Sequence, residues 1–358
     1  MTNSASSPVA RPLQQSLFAD FDPADPDLRL RYIADHPLMA LSGGYKFPTS
    51  PVVFAFSQIV AGIATGLPGM AWVAYPRFGK SSATDFIRTH LGDSLENTPV
   101  VLHEAKTHVR ADEGRFYTEL LHASDFGVPP GRDVTERFIR LWKGWWALVA
   151  SQKAKRIVLV VDEAQKLSVL EFSWLIDLAN ALAGKSVSLC VVLFGQPELV
   201  DLRNTLLVVG RMDIVGRFML QVQNFEGIRS AIELEEVMGY LDDPEISEYP
   251  IGSGCSCTQF FVPHAYASGW RLKDHAAHLW AAFEQCAANA GDAALADGIS
   301  VGMAWVRLAF VYVMQQLMLA DDHMITIPSA LWQDAADCSG FQESLGFSTR
   351  QRPANGAI

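Results

Sequence analysis

The chain has 358 residues, of which 49% are hydrophobic and 19% charged, which is enough apolar material for one large core or two modest ones. The formal net charge of -11 excludes a long basic surface, so any contact with nucleic acid must come from a local patch. Five scattered cysteines are typical of a reducing compartment rather than a disulfide scaffold, and the amino terminus lacks a signal-peptide pattern. We therefore expect a cytoplasmic protein.

The hydrophobic pattern divides the chain into four parts. Residues 1–27 are rich in Ser, Pro, Ala and Asp without a period, which predicts a flexible arm. Over residues 28–227 apolar runs alternate with amphipathic segments, which predicts an α/β domain with a parallel sheet sandwiched by helices. Amphipathic helices dominate residues 228–340 and predict a helical domain, and residues 341–358 have the composition of a loose tail.

The individual elements follow from apolar periodicity and from turn-forming residues. Strands are predicted at residues 70–74, 99–104, 157–161 and 188–194. Helices are predicted at residues 28–34, 52–65, 81–91, 113–151 (interrupted at GVPPG), 170–183, 229–241, 271–288 and 301–320. Residues 242–261 are predicted to form a loop. The apolar stretch 299–320 contains Arg307, Gln315 and Gln316, which favours a buried helix over a membrane span.

The first chemical motif, AYPRFGKS, lies between the first strand and the following helix. It matches the phosphate-binding pattern G-x-x-x-x-G-K-[ST] except that Ala74 replaces the first glycine. Lys80 would neutralise the β- and γ-phosphates of a nucleotide, and the Ser81 hydroxyl would ligate Mg²⁺. The residues expected to contact ATP here are Pro76, Arg77, Phe78, Gly79, Lys80, Ser81 and Ser82. A chance GKS after a strand is the alternative.

The second motif is the apolar run IVLVV followed by Asp162 and Glu163. A buried parallel strand delivers both acids to its carboxyl end, which is the edge of the sheet where the phosphate loop also lies. Asp162 would then complete the Mg²⁺ site, and Glu163 would polarise the attacking water. A third strand ends at Gln196, whose amide could orient that water or contact the γ-phosphate, unless it is an ordinary polar strand end.

The sequence of motifs AYPRFGKS, IVLVVDEAQ, LFGQPEL and GRMDIVGRF resembles the transposon-encoded AAA+ regulators of the TnsC/TniB family. It also resembles, more distantly, the Mu B-like proteins and the secretion ATPases of the ExeA type. The resemblance covers about residues 40–280 and implies a P-loop AAA+ fold with a helical lid. The first glycine of the phosphate loop is the clearest departure.

The resemblance implies roles for further residues. Gln196 would be the sensor 1 residue, and Arg217 or Arg211 would reach the γ-phosphate of a neighbouring subunit, with Arg217 the first choice. Arg271 in SGWR would be the sensor 2 residue of the lid. Pro48 and Thr49, after Phe47, would line the adenine pocket. An ordinary surface salt bridge, or a plain helix-start arginine, is the alternative for each of the three arginines.

The resemblance also implies partners. In DNA-encircling relatives the region after the second strand faces the central channel, so Lys106, Thr107 and Arg110 could grip phosphates of duplex DNA without reading bases. A solvated loop is the alternative. The implied assembly is a homo-oligomeric ring or filament, with about six or seven subunits per turn, which would also bind a transposase and a target-selection protein and no membrane.

Two other constellations have simpler explanations. Cys255 and Cys257 with His264 lack the usual C-x2-C spacing and a fourth ligand, which argues against zinc. Trp142, Trp145 and Trp146 have the spacing of a packed helix face rather than of a base-stacking platform.

These observations favour a magnesium-dependent ATPase that hydrolyses ATP at subunit interfaces and regulates DNA transposition. A secretion- or signalling-type AAA+ ATPase with a protein partner and no DNA is the alternative. A nucleotide-binding scaffold that hydrolyses little is a third possibility.

Overall fold

A computed structural model of the chain describes residues 18, 21–40, 44–95, 97–129, 131, 133–291, 298–321 and 326–345. Most of the arm expected at residues 1–27 and most of the tail expected at 341–358 lie outside the described residues. The described part of the arm is folded, since the ring of Phe21 packs edge-on against Tyr32 and stacks on Phe260. Residues 341–345 are helical rather than loose.

The described residues form two compact units. The sheet unit comprises the described residues within Pro48–Arg229, Cys286–Val306 and Gly340–Ile358. The helical unit comprises the described residues within Met1–Phe47, Ser230–Gln285 and Arg307–Ser339. The boundaries expected at residues 28, 228 and 341 stay predictions, with one difference. Cys286–Val306 groups with the sheet unit, whereas the sequence pattern placed it in the helical domain.

A parallel five-stranded sheet forms the centre of the sheet unit, as the sequence predicts. The strands are β1 Gly69–Val73, β2 Val100–Glu104, β3 Arg156–Asp162, β4 Ser188–Gly195 and β5 Val222–Asn224. Their order is β2-β3-β4-β1-β5. The apolar run of β3 is fully buried, as expected for a strand with both faces covered. The sequence pattern did not predict β5, because this edge strand is only three residues long and carries no apolar run.

Helices cover this sheet, and polar caps fix where several of them begin. They are α2 Ser50–Ala64, α3 Lys80–Ser94, α4 Glu113–Ala123, α5 Val134–Ser151, α6 Val169–Ala183, α7 Glu198–Val208 and α8 Met212–Phe218. Asp112 and Asp133 cap α4 and α5. Ser168 and Glu171 form a reciprocal capping box at the start of α6.

The helical unit begins with α1 Pro26–Tyr32, in which the buried Arg29 guanidinium pairs with Asp321 at 3.8 Å and donates to the Phe261 carbonyl. Further along the chain lie α9 Ala231–Asp242, α10 Pro244–Ser247, α11 Cys257–Phe261, α12 Pro263–Ala267, α13 Ala276–Ala290, α14 Met303–Leu319 and α15 Ser329–Cys338. The residues at the ends of α13 and α14 that lie in Cys286–Val306 belong to the sheet unit.

The loop predicted for residues 242–261 is partly wrong, because it contains α10 and α11. Asp243 caps α10 by accepting the Glu245 amide, and Ser256 caps α11 by accepting the Gln259 amide. The side chains that form turns also start helices, so composition alone did not separate the two outcomes.

Most of the apolar stretch at residues 299–320 forms α14. Within the described parts of the chain, no helix combines the length and apolar character needed to cross a membrane.

Candidate functional site

The loop after β1 runs from Ala74 to Gly79 and leads directly into α3. Ala74 is buried, and its amide donates to the carbonyl of Gly195 at 3.0 Å, which extends the β1–β4 pairing by one residue. Positive φ angles occur in this loop at Arg77 (71°) and Gly79 (106°). The turn therefore places no left-handed residue at position 74, and an alanine fits where the motif usually has glycine.

Residues 302–305 support this loop from a distant part of the sequence. The amide of Ala304 donates to the Arg77 carbonyl at 3.2 Å, and the Trp305 ring contacts the edge of Phe78. This support holds Arg77 in the left-handed conformation, which costs a non-glycine residue about 1–3 kcal/mol. No local sequence signal marks these residues, because more than 200 positions separate them from the loop.

Lys80 is the first residue of α3, and its side chain is buried. Its Nζ lies 3.1 Å from Oε1 of Glu163, so the cation and the carboxylate predicted from separate motifs meet at one edge of the sheet. The amides at the start of α3 add the partial positive charge of a helix N-terminus.

The two acids at the end of β3 have opposite electrostatic environments. Burial raises the pKa of Asp162, against the opposing effects of the Glu163 amide and the Lys80 charge. Burial also acts to raise the pKa of Glu163, but the hydrogen bond and charge of Lys80 outweigh it and lower that pKa to about 2. Gln165 and Gln196 add to this lowering. Glu163 therefore remains ionised at neutral pH.

Glu163 also receives three donors on its other oxygen. Gln165 Nε2 lies 2.9 Å and Gln196 Nε2 3.1 Å from Oε2, and Lys166 Nζ lies 3.4 Å from the same atom. The predicted strand-end residue Gln196 therefore belongs to the cluster. Gln165 and Lys166 were missed as site residues, although they lie only two and three positions after Glu163 in the chain.

This arrangement places a buried lysine, a helix N-terminus and two carboxylates at one sheet edge. The lysine and the helix amides can bind phosphate, and a fixed carboxylate can polarise a water. Ser81 is exposed on the first turn of α3 and Ser82 is half-buried. A serine hydroxyl with the Asp162 carboxylate gives the hard oxygen donors that Mg²⁺ prefers.

Residues 70–202 match the family model described as "AAA domain". These residues therefore have the sequence pattern of an AAA domain. The match includes the phosphate loop, the two acids of β3 and the end of β4. Together with the parallel sheet and its flanking helices, it establishes the P-loop AAA+ fold that the sequence predicts, and it makes the chain an ATPase in the general sense of this domain. It does not distinguish the TnsC/TniB family from other AAA+ proteins.

No curated protein matches the sequence. Among solved structures, the Orc1 protein of Aeropyrum pernix in complex with DNA is similar at 12% identity and a TM-score of 0.44, over 89% of this chain and 72% of that one. Drosophila ORC bound to poly(dA/dT) DNA and Cdc6 is similar at 14% identity and a TM-score of 0.34, over 97% and 56%. PCH-2 of C. elegans is similar at 13% identity and a TM-score of 0.32, over 86% and 71%.

The two arginines predicted to act on a neighbour bind other residues of the sheet unit. Arg211 makes a bidentate pair with Asp213 (2.9 and 2.8 Å) and donates to Ser173. Arg217, near the end of α8, makes a longer hydrogen bond of 3.3 Å to Asn180. The roles of both remain predictions.

The other residues predicted to contact nucleotide are Arg271, Pro48 and Thr49. Arg271 donates to the carbonyls of Tyr266 and Trp270, and its guanidinium lies 3.7 Å from the centre of the Tyr266 ring. Thr49 is buried immediately before α2, and Pro48 precedes it. Sensor 2 and adenine contacts therefore stay predictions.

The predicted DNA-contacting residues Lys106, Thr107 and Arg110 are exposed on the loop between β2 and α4. His108 ties this loop to α4, because its ring nitrogens lie 3.1 Å from Glu119 and 3.2 Å from Arg115.

The structure also places the two other constellations singled out in the sequence, the cysteine pair and the tryptophans. Cys255 and Cys257 are buried, and the residues that the structure describes contain no group of His, Cys, Asp and Glu arranged to hold a metal. Trp145 is fully buried and donates to Ser124, whereas Trp146 is partly exposed. A packed helix face accounts for this pattern.

The support of the phosphate loop by residues 302–305 predicts the effect of Gly302→Ala. The new Cβ would lie 2.5 Å from the Trp305 ring and 2.9 Å from the Arg77 carbonyl, so the loop or the indole must move. We expect unfolding to become easier by about 1–3 kcal/mol, as in other overpacked sites, and ATP affinity to fall. Urea unfolding and nucleotide titration measure the two effects.

Gly239→Ala is the matched control. Its Cβ would make only an ordinary contact with Lys273 at 3.9 Å, within helix α9. This change should stabilise the protein by about 0.5–1 kcal/mol and leave ATP affinity unchanged. Equal ATP affinity in the Gly302→Ala variant and the unmodified protein would contradict the supporting role of residues 302–305.

Proposed function

We propose that this chain is a magnesium-dependent ATPase that oligomerises on duplex DNA and regulates transposition by linking a target-selection protein to a transposase. The observation that carries the ATPase part is the meeting of Lys80, Asp162, Glu163 and Gln196 at the carboxyl edge of the sheet. The transposition part is supported by the motif resemblance.

In the proposed reaction, Lys80 and the amides of the phosphate loop bind the β- and γ-phosphates of ATP. Ser81 and Asp162 would hold Mg²⁺, which when bound neutralises charge on the phosphates. Lys80 leaves Glu163 to reach the phosphates, and Glu163 then orients and polarises the attacking water. Gln196, at the end of β4, keeps its hydrogen bond to the Glu163 carboxylate. Pro48 and Thr49 would contact adenine, and Arg271 would contact the γ-phosphate.

Hydrolysis at a subunit interface is supported by the position of Arg217. The Arg217 carbonyl would lie 2.7 Å from a Cβ placed on Gly69, so this residue packs at the amino end of β1. The phosphate loop follows the other end of the same five-residue strand, roughly 13 Å away at about 3.3 Å per residue. The placement favours a role for Arg217 in a neighbour's pocket rather than in its own.

Oligomerisation is supported by exposed apolar side chains around both arginines. Val208, Val209 and Met212 are 87%, 60% and 59% exposed and bracket Arg211 in the chain, and Leu220, 62% exposed, follows Arg217 closely. Clusters of exposed apolar residues mark interaction surfaces more often than isolated ones do. A second copy of the chain is the partner that would bring these arginines to a nucleotide.

Contact with duplex DNA is supported by the loop between β2 and α4. Its cations Lys106 and Arg110 are exposed, and the His108 ring fixes its base against α4. A ring or filament repeats such a loop once per subunit, so a few phosphate contacts per chain add up although the net charge is -11. The cytoplasmic location remains part of the proposal.

Removal of the proposed base tests the enzyme. We expect Glu163→Gln to lower the rate of phosphate release by about 100-fold or more while ATP still binds, because an amide cannot accept the proton. The exposed Glu235→Gln serves as the charge-matched control and should keep the unmodified rate. If Glu163→Gln hydrolyses ATP at the unmodified rate, the chain is a nucleotide-binding scaffold rather than this enzyme.

Mixing two inactive variants tests hydrolysis at the interface. Arg217→Ala alone should lose about 1,000-fold or more in rate, the scale seen for arginines supplied to phosphoryl transfer. An equimolar mixture with Glu163→Gln should regain activity, because an intact Glu163 then meets an intact Arg217 from its neighbour. If the activity of the mixture stays at the level of the separate variants, Arg217 does not act in a neighbour's site. The same mixing experiment with Arg211→Ala tests the other candidate arginine.

DNA binding is tested by removing two cations. Lys106→Ala with Arg110→Ala should abolish DNA-stimulated ATPase activity and weaken duplex binding. The salt dependence of binding should also become flatter, by on the order of 0.9 for each phosphate that the variant no longer neutralises. Lys143→Ala with Lys155→Ala removes the same charge from other positions and should leave both properties intact. A protein that ignores duplex DNA from the start would instead favour the secretion- or signalling-type ATPase.

A further inference from the structure

The turn after β3 contains a side chain that connects two parts of the proposed site. Gln165 lies in the 3-10 turn Ala164–Lys166, immediately after Glu163. Its Nε2 donates to Glu163 Oε2 at 2.9 Å, and its Oε1 accepts the backbone amide of Gln196 at 3.1 Å. One amide group therefore bridges the carboxylate and the end of β4.

The orientation of this amide is fixed by its partners. The backbone N–H of Gln196 can only donate, so the oxygen of Gln165 must face it, and the NH₂ group then faces the carboxylate. Gly195 leaves room for this contact, because a Cβ there would lie 3.1 Å from Gln165 Oε1 and 2.8 Å from a Leu199 methyl. The backbone amide of Gln196 thus sets the orientation of the bridge.

The bridge has a consequence for Glu163 during the proposed reaction. Oε1 of Glu163 binds Lys80, and this pairing must break when Lys80 moves to the phosphates. Oε2 keeps Gln165 and Gln196, while Lys166, at 3.4 Å, is a more distant and more exposed partner. The backbone of Glu163 is in the left-handed region (φ 55°), so it gains no help from a regular helix or strand in orienting the side chain.

We propose that Gln165 is a positioning residue that holds the Glu163 carboxylate in register with the end of β4 while Lys80 is engaged with phosphate. This inference rests on the proposed ATPase function and adds to it a residue that acts through Glu163. It makes Gln165 and Gln196 a pair that orients one oxygen of the base.

Two substitutions separate positioning from simple space filling. Gln165→Met keeps the volume and removes both hydrogen bonds. Gln165→Glu keeps the volume and the acceptor but turns the donor into an acceptor beside the Glu163 carboxylate. We expect both to lower kcat by about 10- to 100-fold, the range that misplacement of a reacting group can produce. The KM for ATP and the thermal midpoint should remain within about twofold and a few degrees of the unmodified protein, since neither change touches the phosphate loop.

Gln152→Met is the control for the chemical change, because Gln152 is exposed at the end of α5, at the other end of β3. It should keep the unmodified kcat. A Gln165→Met variant with unmodified kcat would overturn the proposal. A variant in which KM and thermal stability change together with kcat would assign Gln165 a purely structural role, which also overturns it.

A double-substitution cycle tests the coupling to Gln196. If both glutamines orient one carboxylate, Gln165→Met with Gln196→Met should be within about threefold of the slower single variant. If the loss of kcat in the double variant equals the product of the two single losses, the residues act independently. That result would overturn the proposal that Gln165 and Gln196 act as a pair. Glu163→Gln distinguishes this failure from failure of the proposed function. If Glu163→Gln abolishes hydrolysis and Gln165→Met does not alter it, the proposed ATPase function is supported and only the positioning role of Gln165 is contradicted.

Discussion

The pairing of Lys80 with Glu163 is the interaction on which the site depends. A lysine and a glutamate come within 3.1 Å at the carboxyl edge of a parallel sheet, with most of both side chains shielded from water. Because a buried charge is costly without a partner, the buried Lys80 ammonium is stabilised by this carboxylate. The structure therefore holds this ion pair without any ligand.

The sheet explains why these groups meet. In parallel strands all carboxyl ends lie at one edge, so the loop after β1, the acids after β3 and the glutamine after β4 converge although they lie far apart in sequence. The cluster that results holds one oxygen of Glu163 with Lys80 and the other with two glutamines and Lys166. In the proposed function, a base held in this way keeps one set of partners when the other is exchanged for a ligand.

The features that could be predicted from the sequence are those with a local signal. The buried strand before Asp162 and Glu163 is a run of apolar residues, and the phosphate loop is defined by spacing, so both were placed within one or two residues. The support of Arg77 by Ala304 had no such signal, because it joins segments that only the fold brings together. Gln165 was missed for another reason: a polar residue in a turn has no pattern that separates a bridge from a solvated side chain. The backbone angles explain why Ala74 can replace the first glycine of the motif, since the left-handed residues of the loop are Arg77 and Gly79.

In the proposed function, Lys80, Asp162 and Glu163 form a pocket for a magnesium-bound nucleoside triphosphate. Titration calorimetry of the folded protein with Mg-ATP tests it most directly, with duplex DNA present so that an oligomer can form. We expect a saturable heat that disappears in Lys80→Met. Absence of heat from well-folded, concentrated protein, with and without DNA, would contradict the claim.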